Sequence, residues 1–319
     1  MVTGTYHISR KVKSDIMKKI YVFGSINADL FMKIEKLPTL GETIHATDFH
    51  VLPGGKGANQ CIAAAKLGGK THMLGHLGND MYSDFLSSNF LQYAINNDGI
   101  IKIDMSSGIA IVQNINTDNS IIVSSGANFS TDCTDIHRIL HTEAEKDDLL
   151  VVQFEKEPNT ILDIIKIAKT IGMKIIINPA PMKIALLKEI LPYADYLILN
   201  ETEFASVFNT DKANIKLIVD QYNLSTIILT LGKKGVICAT KNNFIHFNGH
   251  EVDAVDSTGA GDCFVGALSY FLSEGDVIED AVQKANLCAA ISVTKIGAQT
   301  GMPTFNEFLR YWQKMFNSL

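Results

Sequence analysis

The run Asp253-Ala254-Val255-Asp256-Ser257-Thr258-Gly259-Ala260-Gly261-Asp262-Cys263-Phe264 concentrates this chain's chemistry. Gly259 and Gly261 flank Ala260 just ahead of an apolar, helix-like stretch. Glycines let a backbone turn sharply and bring its N–H groups close to a ligand. The helix that follows adds unpaired N–H donors and a partial positive charge. Gly259, Ala260 and Gly261 therefore suit an anion hole for charge developing on a transferred phosphoryl group. Asp262, in the first turn, has two readings. It is either a charge that favours the helix N-terminus or a base that takes the proton of an attacking hydroxyl. Phosphoryl transfer asks little of its base, because positioning and electrostatics do most of the work at a loose transition state.

A second cluster, Pro53-Gly54-Gly55-Lys56-Gly57-Ala58-Asn59-Gln60, also opens a helix. Gly55 and Gly57 let the backbone approach a polyhydroxylated ligand, and Asn59 offers both a donor and an acceptor. Gly68-Gly69-Lys70-Thr71 looks like the tail of a phosphate-binding P-loop. However, Ala64 stands where the first P-loop glycine belongs, and the segment follows a helix instead of opening one. The sequence has no other such loop, no zinc-spaced cluster and no nucleophile elbow.

Short β-branched runs must carry these groups: Lys19–Ile26, Leu149–Phe154, Lys174–Asn178, Tyr196–Leu199 and Thr226–Leu231. Helix-length stretches with three- and four-residue apolar spacing separate several of them, including Ala58–Leu67, Asn159–Ile171 and Ile215–Tyr222. The alternation predicts a mostly parallel sheet covered on both faces, a three-layer α/β/α fold. Helices dominate from Gly259 onward: Ala260–Leu272, Val277–Thr294 and Phe305–Phe316. Two segments break the rhythm, about 29–51 and 108–125. The second reads as a hairpin, Ile109–Ile115 and Ser120–Ser124, turning at Asn116-Thr117-Asp118-Asn119. Both suit a small accessory sheet. The first 17 residues, polar and basic, read as a flexible extension before one domain over 18–319.

With 46% hydrophobic residues in 319, the chain has material for a sizeable core. A net charge of −6 argues against a nucleic-acid partner. Five scattered cysteines without CxxC spacing imply free thiols in a reducing cytoplasm. There is no run of 18 apolar residues to span a membrane.

Six ordered motifs together resemble the ribokinase-type members of the PfkB carbohydrate kinase family, over about Lys18 to Asn306. They are Gly24-Ser25-Ile26-Asn27-Ala28-Asp29, Gly55-Lys56-Gly57-Ala58-Asn59-Gln60, Asn178-Pro179-Ala180-Pro181, Asn200-Glu201-Thr202-Glu203, Asp256-Ser257-Thr258-Gly259-Ala260-Gly261-Asp262 and Gly297-Ala298-Gln299. The resemblance implies ATP-dependent phosphorylation of D-ribose at its 5-hydroxyl. Deoxyribose or a nucleoside as acceptor, or a catalytically silent sugar-binding regulator, stand as alternatives. It implies a ribokinase-like fold whose β lid also joins a homodimer, with Asp262 as the base. Asn27, Ala28, Asp29, Gly55 to Asn59 and Glu155 would hold the sugar. Asn200 and Glu203 would lie near the phosphates and Mg²⁺, Glu203 acting through water. Thr230, Leu231, Gly232, Lys233, Lys234 and Gly235 would line the nucleotide, with Asn286 near the adenine. An activating K⁺ would take the Asp256 carboxylate and backbone oxygens of Thr258, Ser292, Lys295, Gly297 and Gly301.

Overall fold

The computed structural model describes residues 17–115 and 118–317. The expected N-terminal extension lies outside the described residues up to 16. Met17 is half-buried and packs on the core. The strands are β1 (Lys19–Phe23), β2 (Asn27–Lys33), β3 (Asp48–Gly54), β4 (Lys70–Gly78), β5 (Ile100–Ile103), β6 (Gly108–Ile115), β7 (Asp118–Ser124), β8 (Leu149–Val152), β9 (Lys174–Ile177), β10 (Tyr196–Asn200), β11 (Thr226–Thr230), β12 (Val236–Thr240) and β13 (Phe244–Phe247). The helices are α1 (Lys56–Leu67), α2 (Ser83–Leu91), α3 (Thr134–Glu143), α4 (Pro158–Ile171), α5 (Ile184–Ile190), α6 (Glu201–Phe208), α7 (Ile215–Gln221), α8 (Ala260–Ser273), α9 (Ile278–Ser292), α10 (Ala298–Gly301) and α11 (Phe305–Asn317). None of them is long and apolar enough to cross a membrane.

Nine strands form the main sheet in the order β13-β12-β11-β10-β9-β8-β1-β4-β5. It is parallel from β11 to β5, and β12 and β13 run antiparallel at one edge. Both faces are buried. Ile20 and Val22 of β1 enter one apolar cluster while Tyr21 and Phe23 enter the other. Strands covered on both sides read as continuous apolar runs, which is why β1, β8 and β9 were legible. A smaller sheet, β3-β2-β6-β7, takes up the two rhythm-breaking segments. Residues 116 and 117 of the expected turn fall outside the described residues.

Some boundaries differ from expectation. The run expected as a strand over Lys19–Ile26 stops at Phe23, because Gly24 leaves the sheet to meet α1. A Cβ on Gly57 would lie 2.6 Å from the Gly24 backbone, so both positions need glycine for that contact. The false P-loop is the exit of α1: Gly68 closes the helix in the left-handed region (φ 106°) and Lys70 opens β4. β4 itself went unread, since glycines and histidines interrupt its apolar run.

Candidate active site

The site gathers at the carboxyl edge of the parallel strands, where open α/β sheets bind ligands. Asp262 lies in the first turn of α8 and is 8% exposed. Two side-chain amides from α1 hold it: Asn59 Nδ2 donates to Oδ2 at 3.0 Å, and Gln60 Nε2 donates to Oδ1 at 3.0 Å. These amides are themselves fixed. Gln299 Nε2 donates to Asn59 Oδ1 at 2.9 Å, and Gln153 Nε2 donates to Gln60 Oε1 at 2.6 Å. Gln60 Nε2 also reaches Asn178 Oδ1 at 3.1 Å. A carboxylate fixed by donors on both oxygens is pre-oriented and loses little freedom when it acts. Gly259, at φ 75°, caps α8 and leaves the helix N-terminus open toward a 190 Å³ cavity. Lys56, Asn178, Asn200, Glu203, Gly261 and Asp262 are among the residues lining it.

Lys56 sits among four carboxylates. The Asp262 carboxylate holds its ammonium above the ordinary value, aided by Glu155, Glu203 and Asp29, against the opposing effect of burial. Asp29 is the odd member. Burial pushes it up to about 7, Glu155 and Asp262 push the same way, and Lys56 opposes them. Its Oδ1 is buried without a hydrogen-bond partner. Glu155 Oε2 accepts from the Ser25 hydroxyl and from the Lys56 backbone N–H at 3.2 Å. Glu155 and Asn27 line a second cavity, of 170 Å³. Asn128 Nδ2 donates to Asn27 Oδ1 at 2.7 Å and pins the start of β2. Ala28 is buried, and Gly55 and Ala58 lie inside the turn into α1.

A third and larger cavity, 1010 Å³, lies on the far side of the Gly259-Ala260-Gly261 turn. Thr230, Gly232, Lys233, Lys234, Gly235 and Asn286 line it. Leu231 does not: its side chain is buried in the core, where an alternating strand-end residue points away from the cleft. Asn286 Nδ2 is already spent on the Asn248 carbonyl at 2.9 Å. Ala260, Gly261, Ser257 and Thr230 line both this cavity and that of Asp262. A large hollow and a small one thus meet at the glycine turn that opens α8, beside a fixed carboxylate, a geometry suited to moving a phosphoryl group between two ligands.

Residues 17–305 match the pfkB family carbohydrate kinase. The chain belongs to that family. It is similar to a deoxyribokinase of Salmonella typhi, 37% identical over 305 residues, covering 92% of this chain and 98% of that one. It is similar to the solved ribokinase of Thermotoga maritima, at 34% identity and a TM-score of 0.84, covering 93% and 99% of the two chains. It is also similar to Arabidopsis thaliana ribokinase complexed with ribose and ATP, at 28% identity and a TM-score of 0.82, covering 92% and 98%. This PfkB kinase is an ATP-dependent sugar kinase.

Asn200 and Glu203 of the kinase form a reciprocal cap on α6: Glu203 N–H donates to Asn200 Oδ1 at 2.8 Å, and Asn200 N–H donates to Glu203 Oε2 at 2.9 Å. Capping and cavity lining coexist, because each side chain keeps a second polar atom. Asp256 Oδ1 accepts from Thr258 N–H at 2.9 Å and Oδ2 from Gly297 N–H at 2.8 Å. Burial pushes this carboxyl up, but these bonds and the Thr258 hydroxyl outweigh it and leave the group below its ordinary value. A Cβ on Gly301 would sit 2.4 Å from the Ser292 carbonyl oxygen and 3.6 Å from that of Lys295, so two carbonyls converge where only glycine fits. The Lys295 ammonium itself turns away to Glu307 at 2.6 Å.

Sequence reasoning missed the supporting amides: Gln60, Gln153, Gln299 and Asn128. Gln60 and Gln299 stand inside quoted motifs, so adjacency to Asn59 and to Gly297-Ala298 was a signal. Gln153 and Asn128 act across 93 and 101 residues of chain, on Gln60 and Asn27, and no local spacing marks them.

Proposed function

We propose that this kinase phosphorylates D-ribose at its 5-hydroxyl, giving ribose 5-phosphate and ADP. The observation that carries the reading is the seat of Asp29, a carboxylate oxygen buried without a donor beside Glu155, Lys56 and Asp262. Such an oxygen is costly unless a ligand supplies a hydroxyl, and a furanose supplies several. Asn27, Asp29, Gly55 to Asn59 and Glu155 hold the sugar so that its reacting hydroxyl meets Asp262. Asp262 takes that hydroxyl's proton as the oxygen attacks. The N–H groups of Gly259, Ala260 and Gly261 face the charge on the transferred group. Thr230, Gly232, Lys233, Lys234, Gly235 and Asn286 line the nucleotide's place, with Leu231 packing behind them.

Two cations complete the reading. The free oxygen of Glu203 and the amide of Asn200 suit Mg²⁺ held through water, since that ion keeps much of its shell. It would supply charge neutralisation at the phosphates. The mixed set of the Asp256 carboxylate and the carbonyls of Thr258, Ser292, Lys295, Gly297 and Gly301 consists of hard oxygen donors and fits K⁺, which would order the anion-hole turn. We assign a lid role and a homodimer contact to the small sheet. A reducing cytoplasm suits five buried, unbridged cysteines.

The similarity to a deoxyribokinase keeps one second reading open, deoxyribose as the preferred acceptor. Initial rates of ADP release with ribose, deoxyribose and adenosine decide between them. Ribose should give the highest kcat/KM, and a higher value with deoxyribose overturns the assignment. Asp262→Asn should lower turnover by several orders of magnitude while ATP still binds, as read by calorimetry.

A further inference from the structure

The sugar cavity holds a cation that no motif marks. Lys183 lines the 170 Å³ hollow with Ser25, Asn27, Asn128, Phe129 and Glu155. Most polar atoms there are already engaged. Asn128 Oδ1 accepts from the Ile26 N–H, and its Nδ2 serves the Ile26 carbonyl and Asn27. Ser25 donates to Glu155. Lys183 is different. Its Nζ donates to the Lys156 carbonyl at 3.2 Å and stands 5.1 Å from the centre of the Phe129 ring. An ammonium has three donors. The carbonyl takes one and the ring face a second direction, which leaves a donor for a ligand.

The mount of this ammonium is rigid. Lys156, whose carbonyl carries it, is fully buried. The Lys156 Nζ lies 2.9 Å from His76 Nδ1, and His76 Nε2 lies 2.7 Å from the Asp132 carbonyl oxygen. A carbonyl only accepts, so His76 carries its proton on Nε2 and Nδ1 accepts from Lys156. Hydrogen bonds at both ends of Lys156, in the loop after β8, therefore link the cavity to β4. An ammonium held by a buried carbonyl and a ring face has less freedom left to lose on binding.

Asp262 lines the neighbouring hollow, not this one, and Lys183 lines this one, not that of Asp262. The Lys56 backbone N–H, bonded to Glu155, marks where the two adjoin. A furanose with its 5-hydroxyl at Asp262 turns the opposite side of its ring, which bears the anomeric oxygen, toward Lys183. We propose that Lys183 is a specificity-determining residue that donates a hydrogen bond to the anomeric hydroxyl of the acceptor. This rests on the furanose reading of the site.

The test compares an aldopentose with its 1,4-anhydro counterpart, which lacks only that hydroxyl. The sugar used is whichever of ribose and deoxyribose the wild type prefers, so a wrong choice of sugar shows separately as a reversed preference. In the wild type, loss of the hydroxyl should lower kcat/KM about tenfold, the scale of one hydrogen bond to a charged donor. In Lys183→Met the two acceptors should become equal, the loss falling on the KM of the intact sugar with kcat and the KM for ATP unchanged. Lys183→Arg should restore most of the difference. An equal penalty for the missing hydroxyl in wild type and Lys183→Met overturns the assignment, as does a wild type indifferent to that hydroxyl. Should no aldose be phosphorylated, the furanose reading and this one fall together.

Discussion

At the scale of single residues, Asp29 gives the sharpest consequence. Its folded-state value, pushed to about 7, lies above that of an unfolded aspartate. Between about 4 and 7 the native state holds a proton that the unfolded chain has released, so this group's contribution to stability declines as pH rises through that window. Asp29→Asn should therefore raise the melting temperature at pH 8 and leave it unchanged at pH 4. Hydroxyl donors favour the ionised carboxylate, so sugar binding must expel the proton below about 7. The sugar KM should accordingly climb by up to about tenfold per pH unit in that range. In Asp29→Asn the KM is higher but that climb is gone. A KM profile identical in the two proteins would remove Asp29 from the sugar site. The chemistry was legible here because Asp262 and Asn59 sit beside glycines in compact motifs. The clamp on Asp262 was only half legible, since Gln60 follows Asn59 directly and its bond depends on how α8 crosses α1.

At the scale of elements, the loop after β8 and the end of α10 carry separate predictions. Burial lowers Lys156 to about 7, the Cys133 thiol nearby pulling slightly the other way, while His76 sits at about 4, lowered by burial and then by Lys156. An unfolded lysine keeps its proton to higher pH, so between about 7 and 10.5 the native state gains stability from this group as pH rises. Lys156→Met leaves His76 Nδ1 without its donor, a cost of roughly 1–3 kcal/mol. It also removes the buried amine, so its stability relative to wild type should be best near pH 6 and decline steadily toward pH 10 in denaturant titrations. A pH-independent difference would mean that Lys156 is solvated in solution. At the last residue of α10, Gly301→Ala drives a methyl toward the Ser292 carbonyl. Rates without added salt should match wild type, and the rise on adding KCl should vanish. A full K⁺ response in that variant would exclude this carbonyl pair as the cation's seat. Helix ends such as Gly68 and Gly172 could be read from sequence because left-handed caps want glycine. β4, β5, β12 and β13 could not, because pairing with neighbouring strands makes them strands despite interrupted or short apolar runs.

For the whole molecule, the proposed lid and dimer roles both fall on the small sheet. The sequence marked its segments by their broken rhythm but not their register, since β2 pairs parallel with β6, joining Asn27 to Gly108 across 81 residues. Long-range register of that kind leaves no local trace. β7 is the sheet's last strand, so one of its edges is open. Ile121, Ile122 and Val123 on that strand are 57, 58 and 51% exposed, and Phe49 on the opposite edge strand β3 is 51% exposed. An open apolar edge invites pairing or aggregation unless something covers it. Val123 also lines the sugar cavity, so whatever covers β7 also braces the cavity wall. The proposed homodimer would meet both needs, burying the edge and stiffening the sheet. On that basis the protein should sediment as a dimer at micromolar concentration. Ile122→Lys should shift it toward monomer, because a charge on the strand loses its solvation at the contact. The same variant should raise the sugar KM severalfold with the ATP KM unchanged, since the nucleotide cavity includes no residue of β7. A wild-type protein that stays monomeric at tens of micromolar with full activity would show that the sheet closes unaided, and the exposed isoleucines would then need another partner.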